Sequence, residues 1–192
     1  MNIGIVIGSI REGRVSDRLA KCIDLVARSK GIETKILDLK EFNLPFFSEN
    51  MSPQFNPNRQ PSEEAKAWLS AVSDCDAVVL VSPEYNRSYS PVLKNAIDYL
   101  AFEMKRKPVL LATHGSTGGA QAVSHLRGTL AGVQAVTIPP AVMIVGNITE
   151  MINEKGEVNE ELKSKPYGPS AVIDSALDEL KWYSDALAQA RG

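Results

Sequence analysis

Short apolar runs rich in valine and isoleucine alternate with longer stretches of helical period along this chain of 192 residues. No other feature limits the possible folds as strongly. Runs such as IGIVIG at 3–8 and AVVLVS at 77–82 have no polar side, so they predict strands buried on both faces. Further strands are predicted at 34–39 and 108–113, with a fifth over 134–146 that breaks at Pro139–Pro140. Between them the period predicts helices over 16–30, 62–73, 90–104, 119–130 and 170–190. Ser16 and Ser62 suit helix starts, Pro91 suits a first helical position, and Gly31 suits a stop. Strands that alternate with helices imply a parallel sheet covered on both faces. With 44% hydrophobic residues, the whole of 1–192 is long enough to form one domain with a substantial core.

Two connections are long. The segment 40–61 carries Pro45, Pro53, Pro57 and Pro61 with Phe42, Phe46 and Phe47, and its length predicts a functional or interaction surface. The segment 147–169 is charged and is expected to be exposed, with a small hairpin around EKGE. Trp68 is either core or part of a subunit contact.

Open parallel sheets bind ligands beyond the carboxyl ends of their strands, where strand order reverses. If the order is 2-1-3-4-5, the loops after strands one, three and four line one crevice. Those loops are GSIREGRVS at 8–16, PEYNRSYS at 83–90 and HGSTGG at 114–119. The first precedes a helix whose free N–H groups favour an anion. Ser9 and Ser16 offer hydroxyls and Arg11 a forked cation, a set that suits a terminal phosphate. The loop lacks G-x-G-x-x-G, and HGSTGG lacks the Gly-Lys-Ser/Thr ending of a triphosphate loop. The second loop suits a flat heterocycle. Tyr85 offers a ring, Asn86 an amide and Pro83 a stiff backbone, while Glu84 is either a ligand contact or an orienting group. Tyr89 is a second aromatic wall or a packing residue. The third loop is small enough to pass close to a ring. His114 has no carboxylate or cysteine arranged with it, which favours a structural role over acid–base work.

The net charge of −2, from 21 basic and 23 acidic residues, argues against nucleic-acid or membrane partners held by bulk charge. Cys22 and Cys75 are too few for a disulfide scaffold and lack metal-ligand spacing, so no metal is expected. The apolar run at the start lacks a basic leader, and a cytoplasmic location is expected.

The stretches GSIREGRVS, SPEYNRSYSPVLKNAIDYL at 82–100 and HGSTGGAQAVSHLR at 114–127 resemble the NADPH-dependent FMN reductase family, which includes quinone, chromate and azo-dye reductases. The resemblance covers most of 1–146. It implies a flavodoxin-like three-layer sandwich, with a five-stranded parallel sheet of order 2-1-3-4-5 and helices on both faces. It also implies non-covalent FMN and a homodimer or homotetramer with flavin sites near a subunit interface. By this resemblance Ser9, Arg11 and Ser16 hold the phosphate, with Arg14 close by and backbone amides near Val15 and Asp17. Pro83, Glu84, Tyr85 and Asn86 border the flavin ring on one edge, and Gly115, Ser116, Thr117, Gly118 and Gly119 on the other. Asp17 stands where many members carry an uncharged residue. The implied reaction passes hydride from NADPH or NADH to the flavin N5, and a quinone, free flavin, azo compound or metal oxyanion then takes the electrons. This explains the lack of a visible triad. The alternative is a flavodoxin-type electron carrier or a redox-sensing flavoprotein. A carrier docks on partner proteins, and a charge of −2 offers little steering for that.

Overall fold

The computed structural model describes residues 1–191. Strand β1 is Asn2–Ile7, β2 Glu33–Asp38, β3 Ala77–Pro83, β4 Pro108–Gly115 and β5 Val136–Val145. They form one sheet in the order β2-β1-β3-β4-β5, the expected order, and every neighbouring pair is parallel. The longer helices are α1 Ser16–Ser29, α3 Glu63–Ser73, α4 Pro91–Asp98, α5 Ala120–Gly132 and α8 Pro169–Arg191, and single turns form α2 Leu39–Phe42, α6 Ile148–Met151 and α7 Glu160–Lys163.

The side chains of the central strands alternate between two cores. Ile3, Ile5 and Ile7 of β1, Val79 and Val81 of β3, and Leu110 and Ala112 of β4 face α1 and α8. Val6, Val78, Leu80, Val109 and Leu111 face α3, α4 and α5 on the other side. Burial on both faces explains why these strands read as continuous apolar runs. Trp68 is only 2% exposed and donates Nε1–H to the Ala96 carbonyl at 2.9 Å, so it is a core residue. Cys22 and Cys75 are buried free thiols, and burial pushes Cys22 up to about 12. Among the described residues no helix is long and apolar enough to cross a membrane.

Four expectations need correction. Helix α4 stops at Asp98, because the Ala101 N–H turns to the Glu103 carboxylate at 2.6 Å and the chain then swings through Arg106 at φ 56°. Ser16 is not a cap: Val15 holds that position, and no side chain caps the helix. The fifth strand is continuous through Pro139–Pro140. It lies at the sheet edge, and its pairing with β4 slips between Val109 and Leu111, which absorbs the prolines as a bulge. Arg127 donates to the carbonyls of Ile138 and Pro139 at 2.9 and 2.7 Å and secures that bulge. Finally, 147–169 is only partly exposed. Ile148, Ile152 and Val158 join the α1/α8 core. The hairpin around EKGE exists, with Ile152 bridged to Val158, and Gly156 (φ 85°) lies so close to Lys21 that a Cβ there would sit 2.6 Å from it.

Candidate active site

Beyond the carboxyl ends of β1, β3 and β4 lies a cleft of about 340 Å³. The loop after β1 supplies Ser9, Arg11, Gly13, Arg14, Val15 and Ser16, the loop after β3 supplies Pro83, Glu84 and Tyr85, and β4 ends on it with His114 and Gly115. These elements converge because β1, β3 and β4 are adjacent in the sheet.

The cleft meets the N-terminus of α1. Side-chain acceptors occupy the starts of the neighbouring helices. Ser62 accepts from Ala65 N–H at α3, Ser90 accepts from Leu93 N–H at α4, and Glu84 accepts from Gln121 and Ala122 N–H at α5, at 3.0 and 3.4 Å. Helix α1 has no such side chain at its Val15 cap. Its first N–H groups therefore keep their affinity for an acceptor from outside, with the positive end of the helix dipole behind them. Ser9 and Ser16, each 1% exposed, add hydroxyls beside it. This donor set fits the phosphate of FMN.

The two arginines of the loop divide the work. Arg14 pairs with both Asp38 oxygens and donates to the Ser9 carbonyl at 2.6 Å, so it braces the loop against the end of β2. The Asp38 hydrogen bond raises the Arg14 pKa further. Arg11 is exposed and lies over the Tyr85 ring, 5.4 Å from its centroid. It is the cation left free to meet an anion in the cleft. Arg14 is committed to the loop itself.

Tyr85 is held by a tight two-residue turn. Asn86 and Arg87 take φ 48° and 64°, and Tyr85 and Ser88 exchange backbone hydrogen bonds at 2.7 and 3.0 Å. The Tyr85 hydroxyl lies 3.0 Å from Ser9 Oγ. On the far side of Ser9, Arg11 and Tyr85 is a second, apolar cleft of about 220 Å³, lined also by Ile10, Leu44, Phe46 and Val92. Phe46 is 83% exposed, whereas Phe47 is packed edge-on against Tyr99 and Phe42 against Trp68. Tyr89 is a packing residue whose hydroxyl meets Thr129 Oγ1 at 2.8 Å.

Six of the expected site residues stand outside the main cleft: Asp17, Asn86, Ser116, Thr117, Gly118 and Gly119. Asn86 forms the turn. Gly118 and Gly119 have φ 70° and 81°, and a Cβ on Gly119 would come within 2.5 Å of Thr113. They shape the entry to α5 and let it pack closely on β4. Asp17 has one buried oxygen without a partner, and its other oxygen is 3.6 Å from Lys21 Nζ. Glu84 lines the cleft, yet its carboxylate is engaged by the start of α5. Gly13, which lines the cleft, was not named among the expected site residues, and for His114 the sequence favoured a structural role over acid–base work. His114 lines the cleft with Nε2 2.8 Å from Ser16 Oγ, and burial lowers its pKa from 6.5 to about 4. Among the described residues no cluster of three His, Cys, Asp or Glu side chains is arranged to hold a metal ion.

The chain is similar to several known proteins. The chain is 29% identical over 191 residues to an NAD(P)H-dependent FMN reductase of a Nectria species, covering 93% of this chain and 94% of that one. It is 32% identical over 154 residues to an NADPH azoreductase of a Bacillus species, covering 79% and 77%. The solved structure of a flavoenzyme NAD(P)H:(acceptor) oxidoreductase from Paracoccus denitrificans superposes with a TM-score of 0.75 at 23% identity, covering 95% of this chain and 98% of that one, and shows the shared flavodoxin-like fold. The model of one family, NADPH-dependent FMN reductase, matches residues 1–150, which include every loop of the cleft, and the chain belongs to that family.

Proposed function

We propose that residues 1–192 act as one FMN-binding domain that carries hydride from NADPH or NADH, through the flavin, to a small organic or inorganic acceptor such as a quinone, a free flavin, an azo compound or a metal oxyanion. The observation that carries the reading is the uncapped start of α1, flanked by buried Ser9 and Ser16 and by the free cation of Arg11. When bound, FMN supplies the hydride acceptance and donation, chemistry that no side chain offers.

The chain's own residues then bind, orient and shield. Ser9, Arg11, Ser16 and the α1 amides hold the phosphate. Arg14 keeps their loop in shape. Tyr85 and Gly115 border the ring, and Glu84 fixes the loop before α5 so that its glycines stay in place. The apolar cleft beside Tyr85, with Phe46 at its rim, supports a planar acceptor or a second copy of the chain nearby, and self-association belongs to this proposal. So does a cytoplasmic location, which the buried, unpaired thiols of Cys22 and Cys75 suit.

Purified protein saturated with FMN and mixed with NADPH under air tests the reading. Steady NADPH consumption that quickens with a quinone is expected. Reduction that needs a separate reductase would point to a carrier, and release of FAD or of no flavin on denaturation would remove the central claim.

A further inference from the structure

We propose that His114 is a positioning residue that aims the Ser16 hydroxyl at the phosphate of the bound flavin nucleotide. The inference rests on the flavin reading above and assigns a role within the phosphate site to a residue of β4. Leu110 and Ala112 belong to the core under α1 and α8, so His114, two residues further along the strand, faces the same side. It is 8% exposed and Ser16 is 1% exposed, and both line the cleft. Their Nε2 and Oγ atoms lie 2.8 Å apart across 98 positions of sequence.

A serine in the first turn of a helix ordinarily uses its hydroxyl on nearby backbone. Here the hydroxyl is held by the imidazole. It has one proton to give and two lone pairs. A ring protonated at Nε2 donates into one lone pair and leaves the hydroxyl proton free to point into the cleft. Burial pushes the His114 pKa down to about 4, so the ring is neutral at pH 7 and contributes direction in place of charge. A purely apolar residue would fill this buried strand end without the cost of desolvating a ring nitrogen.

The test uses flavin-free protein titrated with FMN and with riboflavin, which lacks the phosphate, together with melting curves. His114→Asn keeps a polar side chain too short to reach Ser16. It is expected to weaken FMN about three- to tenfold, the range of a neutral hydrogen bond, and to leave riboflavin unchanged. His114→Gln reaches the position of Nε2 and is expected to restore FMN binding. The double variant Ser16→Ala with His114→Asn is expected to bind FMN no more weakly than Ser16→Ala alone, because His114 acts through that hydroxyl. An unchanged FMN-to-riboflavin ratio in His114→Asn, or additive losses in the double variant, overturns the inference and leaves a bond that merely anchors α1 to β4. A measurement on the wild type needs no variant. With 15N-labelled histidine, the ring of His114 is expected to be protonated at Nε2, with a resonance that moves on adding FMN and stays still with riboflavin. The Nδ1-protonated tautomer overturns the inference. Wild type that binds neither flavin overturns the flavin reading and this inference with it. Wild type that prefers FMN, beside a His114→Asn variant with the same preference, overturns this inference alone.

Discussion

Arg14 meets Asp38 fork to fork, with Nη1 2.7 Å from Oδ1 and Nη2 paired with Oδ2, and so joins the loop after β1 to the last residue of β2. Burial alone would raise the Asp38 carboxyl, but the Arg14 hydrogen bond and the Lys40 N–H outweigh it and hold the carboxyl below its ordinary value. Arg14→Ala strands a largely buried carboxylate and is expected to cost roughly 2–3 kcal/mol in urea unfolding of the flavin-free protein. FMN and riboflavin should weaken together, since the loop itself loosens. An unchanged midpoint with loss of FMN binding alone would make Arg14 a phosphate ligand. The depressed carboxyl also fixes the sign with pH. Its contribution is present above the unfolded value of 3.8 and is lost as pH falls through the lower folded value, a loss that Asp38→Asn should abolish.

Arg11→Ala should act on the ligand and spare the fold. The side chain is exposed, and its contact within the chain is the Tyr85 ring. A charged hydrogen bond to phosphate is worth roughly 1.5–3 kcal/mol, which corresponds to a ten- to hundredfold loss of FMN affinity. Riboflavin should bind wild type and variant equally, and the melting curve should not move. Equal losses for both flavins would show that Arg11 supports the loop and has no phosphate role.

His114 makes stability fall on mild acidification. Its folded pKa of about 4 lies below the ordinary 6.5, so the unfolded chain takes up the proton first. Its contribution is complete above pH 6.5, declines as pH drops, and is spent near pH 4. At about 1.4 kcal/mol per pH unit, the loss over this window is roughly 3 kcal/mol. Urea unfolding of flavin-free wild type and His114→Gln between pH 4 and 7 reads it directly. Parallel stability curves for the two proteins would contradict the assignment.

Glu84→Ala removes the acceptor at the start of α5. The Gln121 and Ala122 amides lose their partner, and the helix loses a negative charge at its positive end. A decrease of about 1–2 kcal/mol is expected, with modest and equal weakening of FMN and riboflavin through the 115–119 loop. A large loss for both flavins at unchanged stability would identify Glu84 as a ring contact instead.

The three central strands were legible because they are buried on both sides, which leaves short apolar runs rich in β-branched residues. The three loops could be assigned to one crevice only on the condition of a 2-1-3-4-5 order, which the alternating pattern alone does not prove and which the sheet adopts. The separate duties of Arg11 and Arg14 were not legible. They depend on a turn at Gly13, with φ 66°, and on Asp38 arriving from another strand. The burial of Ile148, Ile152 and Val158 was hidden for a similar reason. Each sits among charged neighbours, and only the docking of the hairpin on α1, through Arg18 to the Ile152 carbonyl and Lys21 to the Glu154 carbonyl, turns them inward. His114 was judged by its sequence neighbours, whereas its partner lies 98 positions away.

The proline pair in β5 bears on how this protein behaves in a crowded solution. An outermost strand offers a row of unused amides on which a stray chain can assemble. Pro139 and Pro140 carry no N–H, so this stretch of the edge has fewer donors to offer, and the slipped pairing opposite Leu110 bends the strand where a flat template would be needed. Arg127 occupies the carbonyls of Ile138 and Pro139 from inside the same molecule. Growth of the sheet past its fifth member is thereby blocked at the middle of that border, which leaves β2 as the edge of the sheet open to a stray chain.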